Sequence, residues 1–211
     1  MTADRRLQAG GWAALLVAIL LPLEFVVGHL WPIVPDRAGI VALLALSTAV
    51  TLATLVAVVG LDRMFRSIDA GQATRVLVAG VAGVTLDLGL TAGSWITAAS
   101  GAGSGPSAVA IVWLGLVSSV LVGLWFVLGG AIVMSGSREL ARVGWSGMIG
   151  GVAIILAAVA VATRLGGSTA GAPDELSLRD WFQLIGLFVV LYLIRTWRYV
   201  VGGRLPAPGI L

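Results

Sequence analysis

The chain has 211 residues, of which 59% are hydrophobic and 11% charged, with a net charge of +3 and a mean hydropathy of +1.05. A soluble domain has about 25% charged residues. This composition therefore indicates an integral membrane protein, with room for about six spans and for no soluble domain that would use a nucleotide or bind nucleic acid. Cysteine and lysine are absent and there is one histidine, which excludes disulfides, thiol chemistry, a retinal Schiff base and a haem held by two histidines, so no cofactor is expected.

The first two apolar segments predict two transmembrane helices. Residues 7–30 form a segment that is long for a signal-peptide core and lacks a small-residue cleavage site. We interpret it as a retained first span that Pro22 loosens in its outer half. Residues 38–61 form the second span. Charged and apolar residues then alternate at 62–69, which predicts a helical extension or a short interfacial turn, ended by Ala70-Gly71.

Four further apolar segments follow, separated by polar connections. A flexible, uncharged loop precedes the fourth span, a tight turn at 135–139 precedes the fifth, and residues 164–176 form the longest connection. The fold class predicted from these segments is all-α, a bundle of six transmembrane helices in a single domain. The remaining spans are predicted at residues 74–99, 108–134, 140–163 and 178–199.

The distribution of arginine predicts the orientation of this bundle. Cytoplasmic connections of membrane proteins carry an excess of basic residues. A cytoplasmic N-terminus leaves only Arg37, Arg164 and Arg179 on the outer side. Both termini are therefore expected in the cytoplasm (N-in/C-in), with the chain in the cell inner (plasma) membrane. The arginines on the inner side are then Arg5, Arg6, Arg63, Arg66, Arg75, Arg138, Arg142, Arg195, Arg198 and Arg204.

Asp87 lies about halfway along the third span and is the leading candidate for a functional residue. Thr91 and Ser94 share its helix face, which is otherwise lined by small residues. A charge at this depth normally faces the interior of a bundle, so we expect the third helix to be the central element. Two interpretations stay open. Asp87 binds a proton or a cation with hydroxyl groups nearby, Thr85 among them, or it is a structural acid that holds two helices together.

Glu24 and His29, in the outer half of the first span, are the other candidate binding residues. Their spacing of five places them on different faces of a regular helix, although the distortion at Pro22 could bring them together. With the acids of the outer loops they would form a rim that attracts cations. A metal site needs three or four converging ligands, so no metal site is expected, and solvation at the interface is the favoured role.

Pairs of glycines recur at helical spacing in several spans. Small residues spaced in this way let two helices approach closely. In a chain of six spans they more often serve internal packing, but they also allow a membrane partner subunit or a homo-oligomer, in addition to contact with the lipid bilayer. The pairs are Gly89-x-x-x-Gly93, Gly147-x-x-x-Gly151 and Gly80-x-x-Gly83.

The second half of the chain resembles a known bacterial family. The stretches that carry the resemblance are Leu124-Trp-Phe-Val-Leu-Gly-Gly130, Ser135-Gly-Ser-Arg-Glu-Leu-Ala-Arg-Val-Gly-Trp-Ser-Gly-Met-Ile-Gly-Gly-Val152, Asp62-Arg-Met-Phe-Arg66 and Trp181-Phe-Gln-Leu-Ile-Gly186. They are similar to the six-span family known as domain of unknown function 4386. The turn after the fourth span departs from the family pattern, because Glu139-Leu140-Ala141 has no proline. The resemblance implies six helices and an inner-membrane location, and it implies no activity and no site residues.

Three functions follow from these features. The first is a non-enzymatic integral membrane protein, either an accessory subunit or a binder of a hydrophobic ligand, which the scarcity of ionisable residues in the spans favours. The second is a small proton- or cation-coupled transporter or channel that uses Asp87, although the two halves of the chain show no clear repeat. The third, an intramembrane enzyme, is least favoured because no nucleophile and base can be paired.

Overall fold

The computed structural model describes residues 5–30, 37–100, 108–166 and 188–202, and these residues form six helices. The predicted all-α class is confirmed. Five of these helices, α1 to α5, are long and apolar enough to cross a membrane. The sixth is described over 14 residues, and residues 178–187 of its predicted span lie outside the described part of the chain. The helices are α1 (Arg5–Leu30), α2 (Arg37–Ile68), α3 (Ala70–Ser100), α4 (Ala108–Gly136), α5 (Arg138–Gly166) and α6 (Phe188–Val201).

Two of the connections are single residues, Asp69 between α2 and α3 and Ser137 between α4 and α5. The Asp69 carboxylate accepts a hydrogen bond from the backbone N–H of Gln72 at 2.9 Å and so caps α3. The Ser137 hydroxyl accepts one from the backbone N–H of Leu140 at 3.3 Å in the same way. The prediction that Ala70-Gly71 ends the preceding helix is therefore wrong, because both residues belong to the first turn of α3, behind the cap.

Each of these turns lets its two helices run back alongside each other in a fixed register. Around Ser137, Gly130 lies opposite Gly144 and Gly123 lies opposite Gly151, each pair equally far along the chain from the turn. A methyl group on Gly130 would lie 2.7 Å from the carbonyl oxygen of Gly144, and one on Gly151 would lie 2.6 Å from that of Gly123. The backbones of α4 and α5 are thus in direct contact at two crossings, which only glycine permits.

The expectation that the third helix is central is wrong, because α2 and α4 each pack against three other helices and α3 packs against two. Helix α4 packs against α3, α5 and α2, whereas α3 packs against α2 and α4 at one side of the bundle. The physical reason is that α2 and α4 contact each other directly, so that α3 lies at the side of this pair. Helix α1 packs against α2 and α6, and α6 packs against α5, which closes the ring of helices.

Aromatic side chains fill the core between α2, α4 and α6. Trp125 of α4 is only 1% exposed. Its ring lies 6.3 Å from that of Phe65 and 4.7 Å from that of Phe126, measured between centroids, and Phe126 in turn lies 5.8 Å from Tyr192. All three pairs have the edge-to-face geometry that aromatic quadrupoles favour. This chain of rings fixes three helices that are far apart in sequence.

Most of the described arginines lie at one end of the bundle. Gly10 of α1 contacts Gly60 of α2, and Gly11 contacts Val200 of α6, so the start of α1 meets the ends of α2 and α6. The turns at Asp69 and Ser137 lie at this same end. We call it the arginine-rich end, and it carries Arg5, Arg6, Arg63, Arg66, Arg75, Arg138, Arg142, Arg195 and Arg198.

Candidate functional site

The carboxylate of Asp87 in α3 is bound by a hydroxyl group from α2. Thr51 Oγ1 lies 2.6 Å from Oδ2 of Asp87 and donates a hydrogen bond to it. Thr51 is 2% exposed, and Asp87 is half-buried. The two residues lie equally far along the chain from the turn at Asp69, about 27 Å along each helix. Asp87 therefore sits deep in the bundle, well away from the arginine-rich end.

Thr51 has a second acceptor within reach. Its Oγ1 lies 2.9 Å from the backbone carbonyl oxygen of Ser47, one turn earlier in α2. A threonine hydroxyl carries one proton, so it can donate to Asp87 or to the Ser47 carbonyl, but not fully to both. If the carboxyl group of Asp87 is protonated, it can donate a hydrogen bond to the Thr51 hydroxyl, which then donates one to the backbone carbonyl oxygen of Ser47. The geometry therefore accommodates both protonation states of Asp87 without any movement of a helix.

A second carboxyl group joins the site from α1. Glu24 is half-buried, and its carboxyl group lies near the side chains of Ser47 and Asp87. One turn of α2, from Ser47 to Thr51, thus lies beside a carboxyl group of α1 and a carboxyl group of α3. We call Glu24, Ser47, Thr51 and Asp87 the carboxyl cluster.

The carboxyl cluster has no compensating positive charge among the residues that the structure describes. Neither Glu24 nor Asp87 forms an ion pair with an arginine in those ranges. Ionised carboxylates are costly in a low-dielectric interior unless they are paired, and two close negative charges repel each other as well. A bound proton or a bound small cation would remove this cost. Both residues are partly exposed.

The hydroxyl groups expected around Asp87 lie elsewhere. Thr91 is 8% exposed and follows Asp87 by one turn of α3. Ser94 is exposed and donates to the Leu90 carbonyl oxygen of its own helix at 3.0 Å, and Thr85 is exposed as well. His29 belongs to the last turn of α1, but its side chain lies outside the described residues. The hydroxyl group that binds the Asp87 carboxylate comes from α2 instead.

The sequence does contain a signal for these α2 residues, which were not among the predicted site residues. Ser47, Thr51 and Thr54 repeat at helical spacing within an otherwise aliphatic span, which places hydroxyl groups along one side of α2. Thr48, next to Ser47, accepts a hydrogen bond at 2.9 Å from the indole Nε1 of Trp95 and ties the outer half of α3 to α2. The acids of the outer loops, by contrast, lie outside the described residues.

A lateral groove of about 1210 Å³ opens beside Trp95, between α2, α3 and α4. Its floor includes Gly89 and Gly93, where an added methyl group would meet no atom within 4 Å. The glycine pair on α3 thus does not serve helix packing among the described residues, whereas Gly147 and Gly151 of α5 do. The other lining residues are Ile40, Val41, Leu44, Thr85, Leu86, Leu90, Ser94, Trp95, Thr97, Ala98, Ala99, Ile111 and Leu114.

The described residues contain no group of three histidine, cysteine, aspartate or glutamate side chains close enough to hold a metal ion. The carboxyl cluster therefore offers two carboxyl groups and two hydroxyl groups, a set of oxygen atoms that suits a proton or a small cation with oxygen ligands. A comparison of the chain with protein-family models, with curated proteins and with solved structures found no match in any of the three.

Proposed function

We propose that the protein binds a proton or a small monovalent cation at the carboxyl cluster and acts as a small ion-coupled transporter or channel of the inner membrane. The observation that carries this proposal is the hydrogen bond of 2.6 Å from Thr51 to the carboxylate of Asp87, with the carboxyl group of Glu24 nearby. Ionisable residues within membrane spans are rare, and they commonly mark ion pathways and proton relays. Two neighbouring carboxyl groups with hydroxyl-bearing residues beside them offer an ion more oxygen ligands than a lone aspartate does.

The proposal includes the arrangement of the chain in the membrane. We propose that α6 completes a sixth span together with the residues that precede it, and that the arginine-rich end faces the cytoplasm, so that both termini are cytoplasmic. The excess of arginine at one end supports this orientation. The carboxyl cluster then lies towards the outer half of the bundle. Labelling of single cysteines, introduced at Ser137 and in residues 101–107 of this cysteine-free chain, with an impermeant maleimide on intact cells would test the sidedness.

Uptake measurements in proteoliposomes test the ion-binding proposal. The purified protein is reconstituted with a pH-sensitive dye inside the vesicles, and a proton gradient or a sodium gradient is imposed. The proposal predicts an ion flux that Asp87→Asn and Glu24→Gln each reduce at least tenfold. Asp62→Asn is the matched control, because Asp62 lies on α2 near the arginine-rich end and pairs there with Arg66. Equal fluxes through wild type and Asp87→Asn would overturn the proposal.

Binding of a hydrophobic ligand in the lateral groove is the second candidate function. It is favoured by the open floor at Gly89 and Gly93 and by the mostly aliphatic lining. Its volume of about 1210 Å³ is sufficient for an acyl or isoprenoid chain, since ligand sites commonly measure about 300–1,000 Å³. Mass spectrometry of lipids retained after gentle purification, compared between wild type and Gly93→Leu, tests this function. Loss of one lipid class in the variant would support it, and identical profiles would contradict it.

A further inference from the structure

A second cavity, of about 620 Å³, lies at the arginine-rich end between α5 and α6. Three arginines line it, Arg142 from α5 and Arg195 and Arg198 from α6, and all three side chains are exposed. No ion pair joins them to an acid in the part of the chain that the structure describes. The other lining residues are Glu139, Val143, Trp197, Tyr199, Val201 and Gly202.

Two hydrogen bonds hold side chains that line this cavity. The guanidinium group of Arg195 donates a hydrogen bond at 3.0 Å to the backbone carbonyl oxygen of Arg142, which holds this side chain across the two helices. A guanidinium group has five N–H donors, so this bond leaves others directed elsewhere. Tyr199 donates at 2.9 Å to Oε2 of Glu139 and thereby holds the one carboxylate of the cavity. Three positive charges and one negative charge leave the cavity with a net positive charge.

The position of the cavity identifies the source of the anion. It lies at the end of the transmembrane helices, where a bilayer has its headgroups. Trp197 lines it, packs 5.6 Å from Trp12 between ring centroids, and belongs to the residue type enriched at membrane interfaces. The side chains of Val143 and Val201 form an apolar part of the cavity wall beside the arginines. An anionic headgroup with its acyl chains attached has this combination of a phosphate and adjoining apolar surface.

We propose that this cavity binds the phosphate group of an anionic phospholipid, with Arg142, Arg195 and Arg198 as its ligands. Arginine binds phosphate oxygens in pairs through its planar fork, and a cationic cavity between helices at the cytoplasmic side is a site that such headgroups use. Glu139 opposes the phosphate. Its hydrogen bond to Tyr199 holds this negative charge in the cavity. Because Glu139→Gln removes the charge, this variant should bind the phosphate more strongly. This inference does not depend on the ion-binding proposal.

Native mass spectrometry of the whole protein tests the site, with phosphatidylglycerol or phosphatidylcholine titrated into the detergent micelle. The proposal predicts a preference for phosphatidylglycerol that Arg195→Gln weakens about fivefold, and Arg142→Gln and Arg198→Gln by a similar factor. Arg75→Gln is the matched control, because Arg75 is an exposed arginine at the same end on α3, outside the cavity. It should change the affinity by less than twofold.

Four results would overturn the proposal. Equal binding of phosphatidylcholine would show that the phosphate site does not select anionic lipid. An equal loss in Arg75→Gln would show a diffuse charge effect instead of a site. Displacement of the lipid by millimolar inorganic phosphate would identify the free anion as the ligand. A weaker complex in Glu139→Gln would contradict the role given to Glu139. Unchanged thermal unfolding of the exposed-arginine variants verifies that each one is folded.

Discussion

Thr51 and Asp87 lie equally far from the one-residue turn at Asp69, and their side chains meet at 2.6 Å. This pairing follows from the antiparallel course of α2 and α3, which brings residues equidistant from a tight turn to the same depth. The same relationship around Ser137 brings Gly130 opposite Gly144. The position of Asp69 thus determines which hydroxyl group reaches the Asp87 carboxylate.

Removal of the Thr51 hydroxyl should disturb the carboxyl cluster. Thr51→Val keeps the shape of the side chain but leaves Asp87 without its donor, and we expect a loss of about 1 kcal/mol in the free energy of unfolding. Thr54→Val is the control, since Thr54 Oγ1 donates a hydrogen bond to the Val50 carbonyl oxygen of its own helix, at 2.8 Å. Thermal unfolding in mild detergent measures both. Equal stabilities of the two variants would show that the Thr51–Asp87 bond contributes nothing.

Neutralisation of Asp87 should separate function from stability. In Asp87→Asn the side-chain oxygen still accepts from Thr51 while the charge is removed, so the variant should be at least as stable as wild type. Asp87→Ala removes the acceptor as well and leaves a cavity, so it should be less stable. Both variants should lose ion flux in proteoliposomes. A stable Asp87→Asn with full flux would assign Asp87 a structural role.

The close contact between α4 and α5 should not tolerate a side chain at Gly130. Gly130→Val places branched carbons against the Gly144 carbonyl oxygen, 2.7 Å from the site of the first added carbon, so the helices must separate. We expect a loss of more than about 2 kcal/mol, or failure to fold. Gly89→Ala is the matched control in α3, where open space surrounds the added methyl group. It should gain up to about 1 kcal/mol from helix propensity, and a destabilised Gly89→Ala would contradict the open floor of the groove.

The aromatic core should depend on Trp125. Its ring is 1% exposed and contacts Phe65 and Phe126, so Trp125→Ala should cost about 3–5 kcal/mol in unfolding free energy. Trp113→Ala on the same helix is the control, because Trp113 is 50% exposed and loses only peripheral contacts. Chemical unfolding in mixed micelles, followed by tryptophan fluorescence, compares the two variants. A similar cost for both would place Trp125 outside the core.

Hydropathy was sufficient to predict the helical class and the positions of five long apolar helices, because a membrane span has a nearly fixed length. The break between α2 and α3 was misplaced, since Ala70 and Gly71 are weak helix breakers when a capping aspartate precedes them. The position of α3 at one side of the bundle was also missed. The helix with an aspartate in its span was assumed to be central, whereas a single contact surface, on α2, is enough to bind Asp87.

The partners of Asp87 were not predicted for a related reason. Helical periodicity relates Asp87 only to residues of its own helix, whose hydroxyl groups at Thr85 and Ser94 are exposed. The pairing with Thr51 depends on the turn at Asp69. The contribution of Glu24 depends in addition on the approach of α1 to α2, which the contact of Gly10 with Gly60 allows. Contacts between residues of different helices depend on how the helices pack, and the hydropathy pattern of the sequence does not predict them.

The most direct test of the central claim is the modification of the chain by dicyclohexylcarbodiimide, an apolar reagent that reacts with protonated carboxyl groups. Peptide mass spectrometry locates the adduct. Ion binding at the carboxyl cluster predicts an adduct on Glu24 or Asp87 that decreases as the pH rises or as sodium is added, with Asp62 and Asp69 unmodified. Labelling that omits both residues of the cluster, or that does not respond to pH and sodium, would contradict the claim.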